Sequence, residues 1–594
     1  MKNHFFHPEI IICTMLFVGT SPQALAANLT IDDFTPGADS TAGVIVNRQP
    51  GATDRVGRKV PLSGQGLVGN SLEGMCNYVG GETALSWAPL EAVTVSNDRW
   101  TGTLNLPLSK DWLRCRVRAN GSTSPFQRVK WGVGINWLWI GQSNFNRAYQ
   151  ILPVTIQSSP RVQVYTAIGW HSLDTAMPGW DSDSPFNDNA RIFGNVLSKR
   201  CDCLVGILPF AIPGTYIQQW IDRPNDGSNV WHNQVNIDGD GMPQPFKASP
   251  GRPGFIDVES PNLQVGQLAG FVNMDRAMQS RSVRVNAVAN NSVGMTVAIT
   301  GEPLDTNWIK AGQVMSATGL SSPNLVDHDF EGAIWQQGEN DAGMGVDQYL
   351  DRLTQLWHQV VNVTHRQPQQ FAFGIVPMGT SFGGGAPDPN AQPYFEGIRQ
   401  AQMRFVDANP KGVFFAGSLI DSTHIGGDGI HAGPQDYAHF FKRLTQGALH
   451  ASGLADHGGA GPRVASARMA TGSNVVVVNI THDGGTKLQD ASGNSSASGL
   501  RGFRVFKNGS GCPVAGASIT GPSQVSLEVQ CTRSPTDKVN VDYGYGDNPG
   551  ALRAGSDTNA HLVYDDFAPL FGTPYADTIG TPLQPTRSQL MADP

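Results

Sequence analysis

The chain has 594 residues, of which 40% are hydrophobic and 15% are charged, and this length favours roughly two to four domains over a single core. The formal net charge of −8, with no basic block, argues against a nucleic-acid-binding protein. Beyond the N-terminal segment no stretch is long and apolar enough to cross a bilayer, so no membrane span is expected.

Residues 1–26 have the pattern of a secretory signal peptide. Lys2 opens the segment, 10–18 is mostly apolar, and Ala24-Leu25-Ala26 supplies a cleavage site of small residues. An N-terminal membrane anchor is the alternative, but the apolar run is too short to span. We therefore expect an exported protein, located in the periplasm or outside the cell.

Six cysteines remain once Cys13 leaves with the signal peptide, and an even number in an exported chain favours disulfides. The simplest hypothesis pairs neighbours within three clusters: Cys76 with Cys115, Cys201 with Cys203, and Cys512 with Cys531. Two buried thiols are the alternative for Cys201 and Cys203, because so short a loop strains a disulfide. A metal site there is disfavoured, since no second Cys/His pair lies nearby.

The first part of the exported chain, 27–134, is rich in short alternating or apolar runs separated by Gly, Asn, Asp and Pro. This pattern predicts an N-terminal β-sandwich domain. A scaffold role is favoured over sugar binding for this domain.

From 135 to 457 the pattern changes to strand-length apolar runs with amphipathic helical stretches between some of them. The runs lie at 137–140, 162–168, 204–208, 333–335, 371–376 and 413–416, and the helical stretches lie at about 349–360, at 394–406 and from Pro434 onward. Alternating strands and helices predict an α/β domain whose parallel sheet is covered on both faces.

Two further segments complete the predicted organisation. An insertion at about 223–325 is rich in Asn, Asp, Gly and Pro and is expected to form a lid or a substrate wall. The acidic Asp238-Gly239-Asp240-Gly241 within it lacks the other ligand positions of a calcium loop, so a plain turn is expected. After a glycine-rich linker, 462–594 is expected to form a second β-rich domain, a C-terminal β-sandwich that flanks the α/β domain.

Ser143 stands in Gly141-Gln142-Ser143-Asn144, directly after the apolar run at 137–140. Open α/β sheets place their chemistry at the carboxyl ends of parallel strands, so this serine is a candidate nucleophile. The tetrapeptide is not the Gly-x-Ser-x-Gly elbow of α/β-hydrolases, and a serine in a turn is usually structural. The hypothesis therefore requires a base near Ser143.

The candidate base is His431, with Asp428 three residues before it in a loop that precedes the helix at Pro434. A carboxylate beside the imidazole would hold its tautomer and stabilise the imidazolium. Asp421 and His424 have the same spacing, and spacing alone does not separate the two pairs. The later pair is preferred because a packed helix follows it.

Two further turns follow predicted strands and could complete a site. In Gln337-Gly338-Glu339 the Gln337 amide could donate to an oxyanion, while a structural role is preferred for Glu339. In Pro213-Gly214-Thr215 the glycine could offer a backbone N–H to an anion, although a simple loop glycine is the alternative.

Taken together in chain order, these motifs resemble the SGNH hydrolase superfamily and, within it, the sialate O-acetylesterase-type carbohydrate esterases. The family's Gly-Gln-Ser-Asn, Trp-x-Gln-Gly-Glu and Asp-x-x-His blocks stand at 141–144, 335–339 and 428–431, whereas its Gly-Gly-Thr turn is replaced here by Pro213-Gly214-Thr215. Arg399 and Gln402 resemble the family's helix before the last block. The resemblance covers about 135–455 and implies a three-layer, flavodoxin-like parallel sheet.

The resemblance implies an ester hydrolysis through an acyl-serine. Ser143 would attack, His431 would act as base and then acid, and Asp428 would support it. The N–H groups of Ser143 and Gly214 and the Gln337 side chain would bind the oxyanion. Gln142, Asn144 and Glu339 would support the site, and no metal or organic cofactor is required.

The implied substrate is an O-acetylated glycan or sugar. Two alternatives stay open: a polysaccharide O-acetyltransferase that uses the same triad, and a non-catalytic glycan-binding protein on a hydrolase frame. The sequence does not identify the glycan or the oligomeric state.

Overall fold

The computed structural model describes most of the chain between 29 and 587. The described ranges are 29–34, 42–49, 57–66, 71–150, 153–166, 169–175, 185–211, 213–220, six strands between 244 and 316, 330–363, 367–380, 394–422, 430–546, 549 and 561–587. The predicted signal peptide, Asp428, His424 and the acidic turn at 238–241 lie outside these residues.

Eight short strands precede the central sheet in the described N-terminal part. They are β1 (Val44–Asn47), β2 (Arg58–Gln65), β3 (Glu73–Tyr78), β4 (Thr83–Pro89), β5 (Glu91–Ser96), β6 (Arg99–Leu106), β7 (Leu113–Ala119) and β8 (Ser122–Thr123). β2, β6 and β5 form one antiparallel sheet, and β4, β3 and β7 form part of another. Leu90 and Leu104 approach Gly74 of β3, so the two sheets share a core. A β-sandwich remains a prediction for this region.

Thirteen described strands follow, seven in the central sheet and six in the inserted segment. They are β9 (Trp131–Gly141), β10 (Val162–Thr166), β11 (Gly169–His171), β12 (Leu204–Ala211), β13 (Gln244–Ala248), β14 (Phe255–Val258), β15 (Leu268–Val272), β16 (Val283–Ala289), β17 (Ser292–Val297), β18 (Ala311–Ser316), β19 (Gly332–Gln336), β20 (Ala372–Ile375) and β21 (Val413–Phe415). The central sheet has the order β11-β10-β12-β9-β19-β20-β21, and all neighbours except β11 run parallel. The predicted parallel sheet is therefore present.

Strand β9 is buried at every position, as expected for a parallel strand covered on both faces. It begins before the predicted domain boundary at 134/135 and pairs with β1 and with the first residue of β7. The N-terminal strands β3, β4, β7 and β8 thus belong to the same twelve-stranded sheet as the α/β core.

The described helices of the α/β region lie in two layers. They are α1 (Ser143–Gln150), α2 (Asp188–Cys201), α3 (Val346–Val363), α4 (Tyr394–Ala408) and α5 (Pro434–Ala451). Trp139 of β9 packs against Phe193 of α2 and Phe441 of α5, whereas its neighbour Leu138 belongs to the cluster that contains α3 and α4. Because successive side chains of a strand point to opposite faces, the sheet is covered on both sides in three layers.

The inserted segment contains a closed barrel. Six antiparallel strands follow the order β13-β14-β17-β16-β15-β18, and β18 pairs back to β13. The segment leaves the central sheet after the carboxyl end of β12. A role for this barrel as a lid or substrate wall stays a prediction.

The described C-terminal part is β-rich, and a β-sandwich remains a prediction for it. Its strands are β22 (Arg463–Met469), β23 (Val475–Thr481), β24 (Leu488–Gln489), β25 (Phe503–Lys507), β26 (Ser510–Cys512), β27 (Val514–Gly521), β28 (Gln524–Val529), β29 (Val539–Tyr543), β30 (Tyr564–Asp565) and β31 (Thr586–Arg587). They form two four-stranded sheets and one two-stranded sheet.

Three disulfides form within the three cysteine clusters, as the simplest hypothesis predicts: Cys76–Cys115, Cys201–Cys203 and Cys512–Cys531. The alternative of two buried thiols at the Cys-x-Cys pair is therefore wrong. Within the described residues, no helix is long and apolar enough to cross a membrane.

Candidate active site

Ser143 lies at the carboxyl end of β9, where the strand turns directly into α1. The turn depends on Gly141, which has φ +141° and approaches the Gln336 carbonyl so closely that a Cβ atom there would lie 1.9 Å from the oxygen. The backbone N–H of Gln142 then donates to the same carbonyl at 3.0 Å. Glycine thus lets β9 pack against β19 up to the residue before the site, and Ser143 becomes the first residue of the helix.

His431 contacts Ser143 directly. Its Nε2 lies 2.8 Å from Ser143 Oγ, within hydrogen-bond distance for a base and its nucleophile. The histidine lies three residues before Pro434, the first residue of α5. The structure therefore brings together the serine and the histidine that the sequence singled out from motifs 288 residues apart.

Asn144 fixes the loop on both sides of this histidine. Its Nδ2 donates to the Ile430 carbonyl at 3.3 Å, and its Oδ1 accepts from the Ala432 N–H at 3.1 Å and from the Tyr437 hydroxyl at 2.7 Å. One side chain next to the serine thus holds the backbone before and after His431. Asn144, the residue after Ser143 in α1, therefore fixes the distance between Ser143 and His431.

Glu339 binds the side chains on both sides of Ser143. Its carboxylate accepts from Gln142 Nε2 at 2.6 Å, Asn144 Nδ2 at 2.6 Å and Gln336 Nε2 at 2.9 Å, and the residue is only 9% exposed. A buried carboxylate is stable when hydrogen-bond donors surround it. These contacts correspond to the structural role preferred for Glu339 and place Gln142 and Asn144 as its partners.

The Gln337 side chain, expected to donate to an oxyanion, is hydrogen-bonded to other protein groups. It is fully buried, and its Nε2 has three acceptors: Asp341 Oδ2 at 2.6 Å, the Thr215 carbonyl at 3.2 Å and Gln142 Oε1 at 3.3 Å. Its Oε1 accepts from the Tyr349 hydroxyl at 3.0 Å. Because an amide nitrogen has only two hydrogens, Gln337 cannot donate to an oxyanion without giving up these bonds. In this geometry it connects the turns around the site.

The Gly214 loop is held beside the end of the serine strand. Gly214 has φ +72°, a conformation that favours glycine. The next residue, Thr215, donates from Oγ1 to the Gly141 carbonyl at 3.5 Å and accepts from Gln337 through its own carbonyl. The Asn340 amide lies near Gly214, with Nδ2 4.0 Å from the position of a Cβ atom on that glycine.

Asp341 is a buried charge that the sequence analysis did not single out. It is 3% exposed, and its Oδ2 accepts from the Ile217 N–H at 2.8 Å and from Gln337 at 2.6 Å. Burial raises the pKa of Asp341 to about 6, although these hydrogen bonds and the nearby Arg352 oppose the shift. The only signal in the sequence was its place two residues after Glu339, in the same polar turn.

Asp421, the carboxylate of the competing Asp-x-x-His pair, forms an ion pair with Arg443. Asp421 accepts two hydrogen bonds at 2.8 Å from the buried Arg443 and a third at 3.1 Å from the Tyr564 hydroxyl. These contacts join α5 to the C-terminal region. The Asp421 carboxylate is thus committed to a structural ion pair.

Arg399 and Gln402 of α4 support the carboxyl edge of the sheet. Gln402 donates to the Gln337 carbonyl at 2.8 Å. Arg399, fully buried, donates to the carbonyls of Gly544 and Gly546 at 2.8 and 2.7 Å. The C-terminal region therefore contacts the frame of the site through backbone carbonyls. Among the residues that the structure describes, no group of three or more His, Cys, Asp or Glu side chains could hold a metal ion.

Comparison with known proteins supports the fold. A solved carbohydrate acetylesterase from Xanthomonas citri aligns with a TM-score of 0.54 and 15% sequence identity, over 93% of this chain and 100% of that chain. This chain shares its fold. No protein-family model and no curated protein sequence matches.

Two other solved structures align over 54% of this chain. A protein from Arabidopsis thaliana has 13% identity and a TM-score of 0.29 over 100% of its length, and a peptidoglycan O-acetylesterase has 11% identity and a TM-score of 0.22 over 92% of its length.

Proposed function

We propose that the protein is an exported serine esterase of the SGNH hydrolase superfamily that removes O-acetyl groups from a carbohydrate, as sialate O-acetylesterase-type enzymes do. The observation that carries the proposal is the 2.8 Å contact between Ser143 Oγ and His431 Nε2 at the carboxyl end of a parallel strand. The fold shared with a carbohydrate acetylesterase supports the choice of an acetyl ester on a sugar.

The reaction begins when Ser143 Oγ attacks the acetyl carbonyl carbon and His431 Nε2 takes the serine proton. The backbone N–H groups of Ser143 and Gly214 donate to the oxyanion, where one such donor typically contributes about 3–4 kcal/mol to transition-state stabilisation. His431 then protonates the leaving sugar oxygen, and acetyl-Ser143 remains.

Deacylation repeats these roles with water. His431 takes a proton from the water that attacks the acetyl carbonyl, and the serine oxygen leaves with that proton, which releases acetate. Asp428 would stabilise the imidazolium in both halves. These residues carry out the reaction without a cofactor.

The test is acetate release from O-acetylated polysaccharides and from a chromogenic acetate ester. Ser143→Ala should lower the rate by at least about 1,000-fold without unfolding the protein, because the acyl-enzyme cannot form. Unchanged activity in this variant would remove the proposal.

The choice of base is tested by two matched histidine variants. His431→Ala should lose activity as Ser143→Ala does, whereas His424→Ala should retain most of it. The opposite result would assign the base to the earlier pair. If the product were an acetylated glycan acceptor instead of free acetate, the protein would be an acetyltransferase.

A further inference from the structure

Strand β7 presents three arginines on one face. Its side chains alternate strictly, with Leu113, Cys115, Val117 and Ala119 buried in the core. Arg114, Arg116 and Arg118 therefore point to the opposite, outer face, spaced by roughly 7 Å per two residues. The Cys76–Cys115 disulfide joins β7 to β3 behind them, so the row stands on a cross-linked sheet.

Aromatic rings hold two of these guanidinium groups. Arg116 lies 4.5 Å from the ring centre of Phe126 and 5.5 Å from that of Trp87, and Arg118 lies 4.5 Å from Trp87. A guanidinium whose flat face lies over a ring can still bind a carboxylate through the N–H groups at its edge. Here the Nε of Arg118 already donates to Glu73 and that of Arg116 to Met75, so the Nη groups are the ones that would bind. The rings also restrict the arginine rotamers before any ligand binds.

The positive charge of this face is largely uncompensated. Glu73 pairs with Arg118 at 2.6 Å. Within the part of the chain that the structure describes, Arg114 and Arg116 have no ion pair with a carboxylate, and Arg116 instead donates to Met75 Sδ at 3.3 Å. This excess of cations occurs in a protein whose formal net charge is −8.

We propose that this outer surface, defined by Arg114, Arg116, Arg118 and Trp87 and named the arginine face, binds a polysaccharide that carries carboxylate groups. The choice of a saccharide rests on the proposed function. The choice of one that carries carboxylates rests on the guanidinium groups that this surface presents. Three arginines on a net acidic protein are few for nucleic acid, which is bound through many phosphate contacts.

The position of the arginine face requires a polymer. Leu113, the first residue of β7, pairs with Trp131, the first residue of β9. Because the two strands are antiparallel, β7 runs from this pair in the direction opposite to β9 and away from Ser143. Ser143 follows the other end of β9, so the row begins roughly 30 Å from the catalytic edge at about 3.3 Å per residue. A chain of several sugars could contact both places, whereas an acetylated monosaccharide could not. The arginine face would hold the acidic polymer while its acetyl groups reach Ser143.

The binding test uses the full-length Ser143→Ala protein, so that no turnover complicates it. Native electrophoresis in gels that contain polygalacturonate or neutral dextran should show retardation in polygalacturonate alone, and added salt should weaken it. In the same background, Arg114→Gln/Arg116→Gln/Arg118→Gln should weaken polygalacturonate binding by about tenfold or more. Equal retardation in dextran would overturn the proposal.

The matched control is Lys59→Gln/Arg99→Gln/Arg128→Gln, which removes the same charge from exposed pairs elsewhere in the N-terminal region. It should change binding by less than about twofold, since each of these cations is paired with a carboxylate and none lies on β7. Equal loss in both triple variants would mean only net charge matters and would overturn the proposal. Preferential binding of a DNA duplex or phosphatidylglycerol vesicles through the same arginines would also overturn it.

Arg114→Gln alone keeps the test valid if the triple variant misfolds, because Arg114 is exposed and the ring contacts of the described face with Trp87 and Phe126 involve Arg116 and Arg118. It should weaken polygalacturonate binding measurably and leave the thermal midpoint unchanged. In the active protein, the triple variant should raise KM for O-acetylated polygalacturonate and leave a small chromogenic ester unaffected. Binding lost in the arginine variants with no esterase activity in any protein would contradict the proposed function and leave the arginine face supported.

Discussion

The side chains around Ser143 and those of the arginine face are both polar, but they are held in opposite ways. Around the serine, Glu339 and Gln337 are buried and hydrogen-bonded to other protein groups. On the arginine face, the side chain of Arg118 is 44% exposed, and that of its partner Glu73 is 34% exposed. Removing a partner from a buried hydrogen bond leaves a desolvated group behind, whereas exposed groups return to water.

This contrast divides the expected consequences of mutation. Changes at the carboxyl edge of the sheet should alter catalysis and stability together, because the same bonds position the reacting atoms and satisfy buried groups. Changes at the arginine face should alter binding of a polymer and little else. Four predictions test this division, from the largest effect to the smallest.

The largest effect is expected for Asn144→Ala. The variant loses the bonds to Ile430 and Ala432 on either side of His431. A base displaced by about 1 Å can cost about 100-fold in rate, so kcat should fall by that order while KM changes little. Steady-state kinetics on a chromogenic ester measures this.

Tyr437→Phe is the matched control for Asn144. It removes the hydrogen bond from the Tyr437 hydroxyl to Asn144 Oδ1 and keeps the bonds of Asn144 to Ile430 and Ala432. Its kcat should fall by less than about tenfold. An equal loss in the two variants would mean that Asn144 does not act through the histidine loop.

A smaller effect is expected for Glu339→Gln. The neutral amide cannot accept from all three of Gln142, Asn144 and Gln336, so one donor is left facing another donor. We expect a free energy of unfolding lower by about 1–3 kcal/mol and a roughly tenfold loss of kcat. Urea denaturation and kinetics measure both, and Glu91→Gln, an exposed carboxylate, should change neither.

Asp341→Asn should change the pH dependence of stability. Burial raises the pKa of Asp341 from 3.8 to about 6, so the folded protein binds this proton more tightly than the unfolded chain. The stabilising contribution is therefore complete below about pH 4 and is lost as the pH rises through 6. The free energy of unfolding of the wild type should fall relative to the variant by up to about 3 kcal/mol across that interval.

The asparagine can keep its oxygen at the Oδ2 position, where Ile217 and Gln337 donate. The difference between the two proteins isolates Asp341 from Asp565, whose pKa is also raised to about 6 by burial. If the free energies of unfolding of the two proteins differed by the same amount at pH 4 and pH 7, the assignment would be contradicted.

The smallest effect is expected for Arg114→Gln on the small ester. The exposed side chain lies at the opposite end of β9 from Ser143, so kcat and KM should stay within error and the free energy of unfolding within about 0.5 kcal/mol. A clear loss of small-ester activity would break the separation between the two regions.

Much of the α/β frame could be predicted because its strands are continuous apolar runs. The runs at 204–208 and 333–335 lie within Leu204–Ala211 and Gly332–Gln336, and the helix expected from Pro434 begins there. The run at 162–168 contains the strand Val162–Thr166, and a second, antiparallel strand, Gly169–His171, follows the run. Local periodicity does not show where a chain reverses.

The missed features depend on long-range contacts. The helix Asp188–Cys201 was not predicted, although Asn187 caps it with hydrogen bonds to the next turn. In the insertion, closure of the barrel depends on β13 pairing with the distant β18. Sequence patterns carry the alternation of a strand and not its partner.

At the site, the sequence identified the residues better than their orientations. Ser143 and His431 meet as expected, and Glu339 occupies the structural position preferred for it. Gln337 was expected to face the oxyanion and instead bonds to Asp341 and Thr215. A motif specifies which residue follows a strand, but the direction of an amide depends on acceptors from other segments.

The most direct test of Ser143 as nucleophile and His431 as its base is covalent labelling of the full-length protein with a fluorophosphonate, followed by peptide mass spectrometry. We expect a single adduct on Ser143, formed rapidly in the wild type and in His424→Ala and strongly slowed in His431→Ala. An adduct on another residue, or labelling of Ser143 that does not depend on His431, would contradict it.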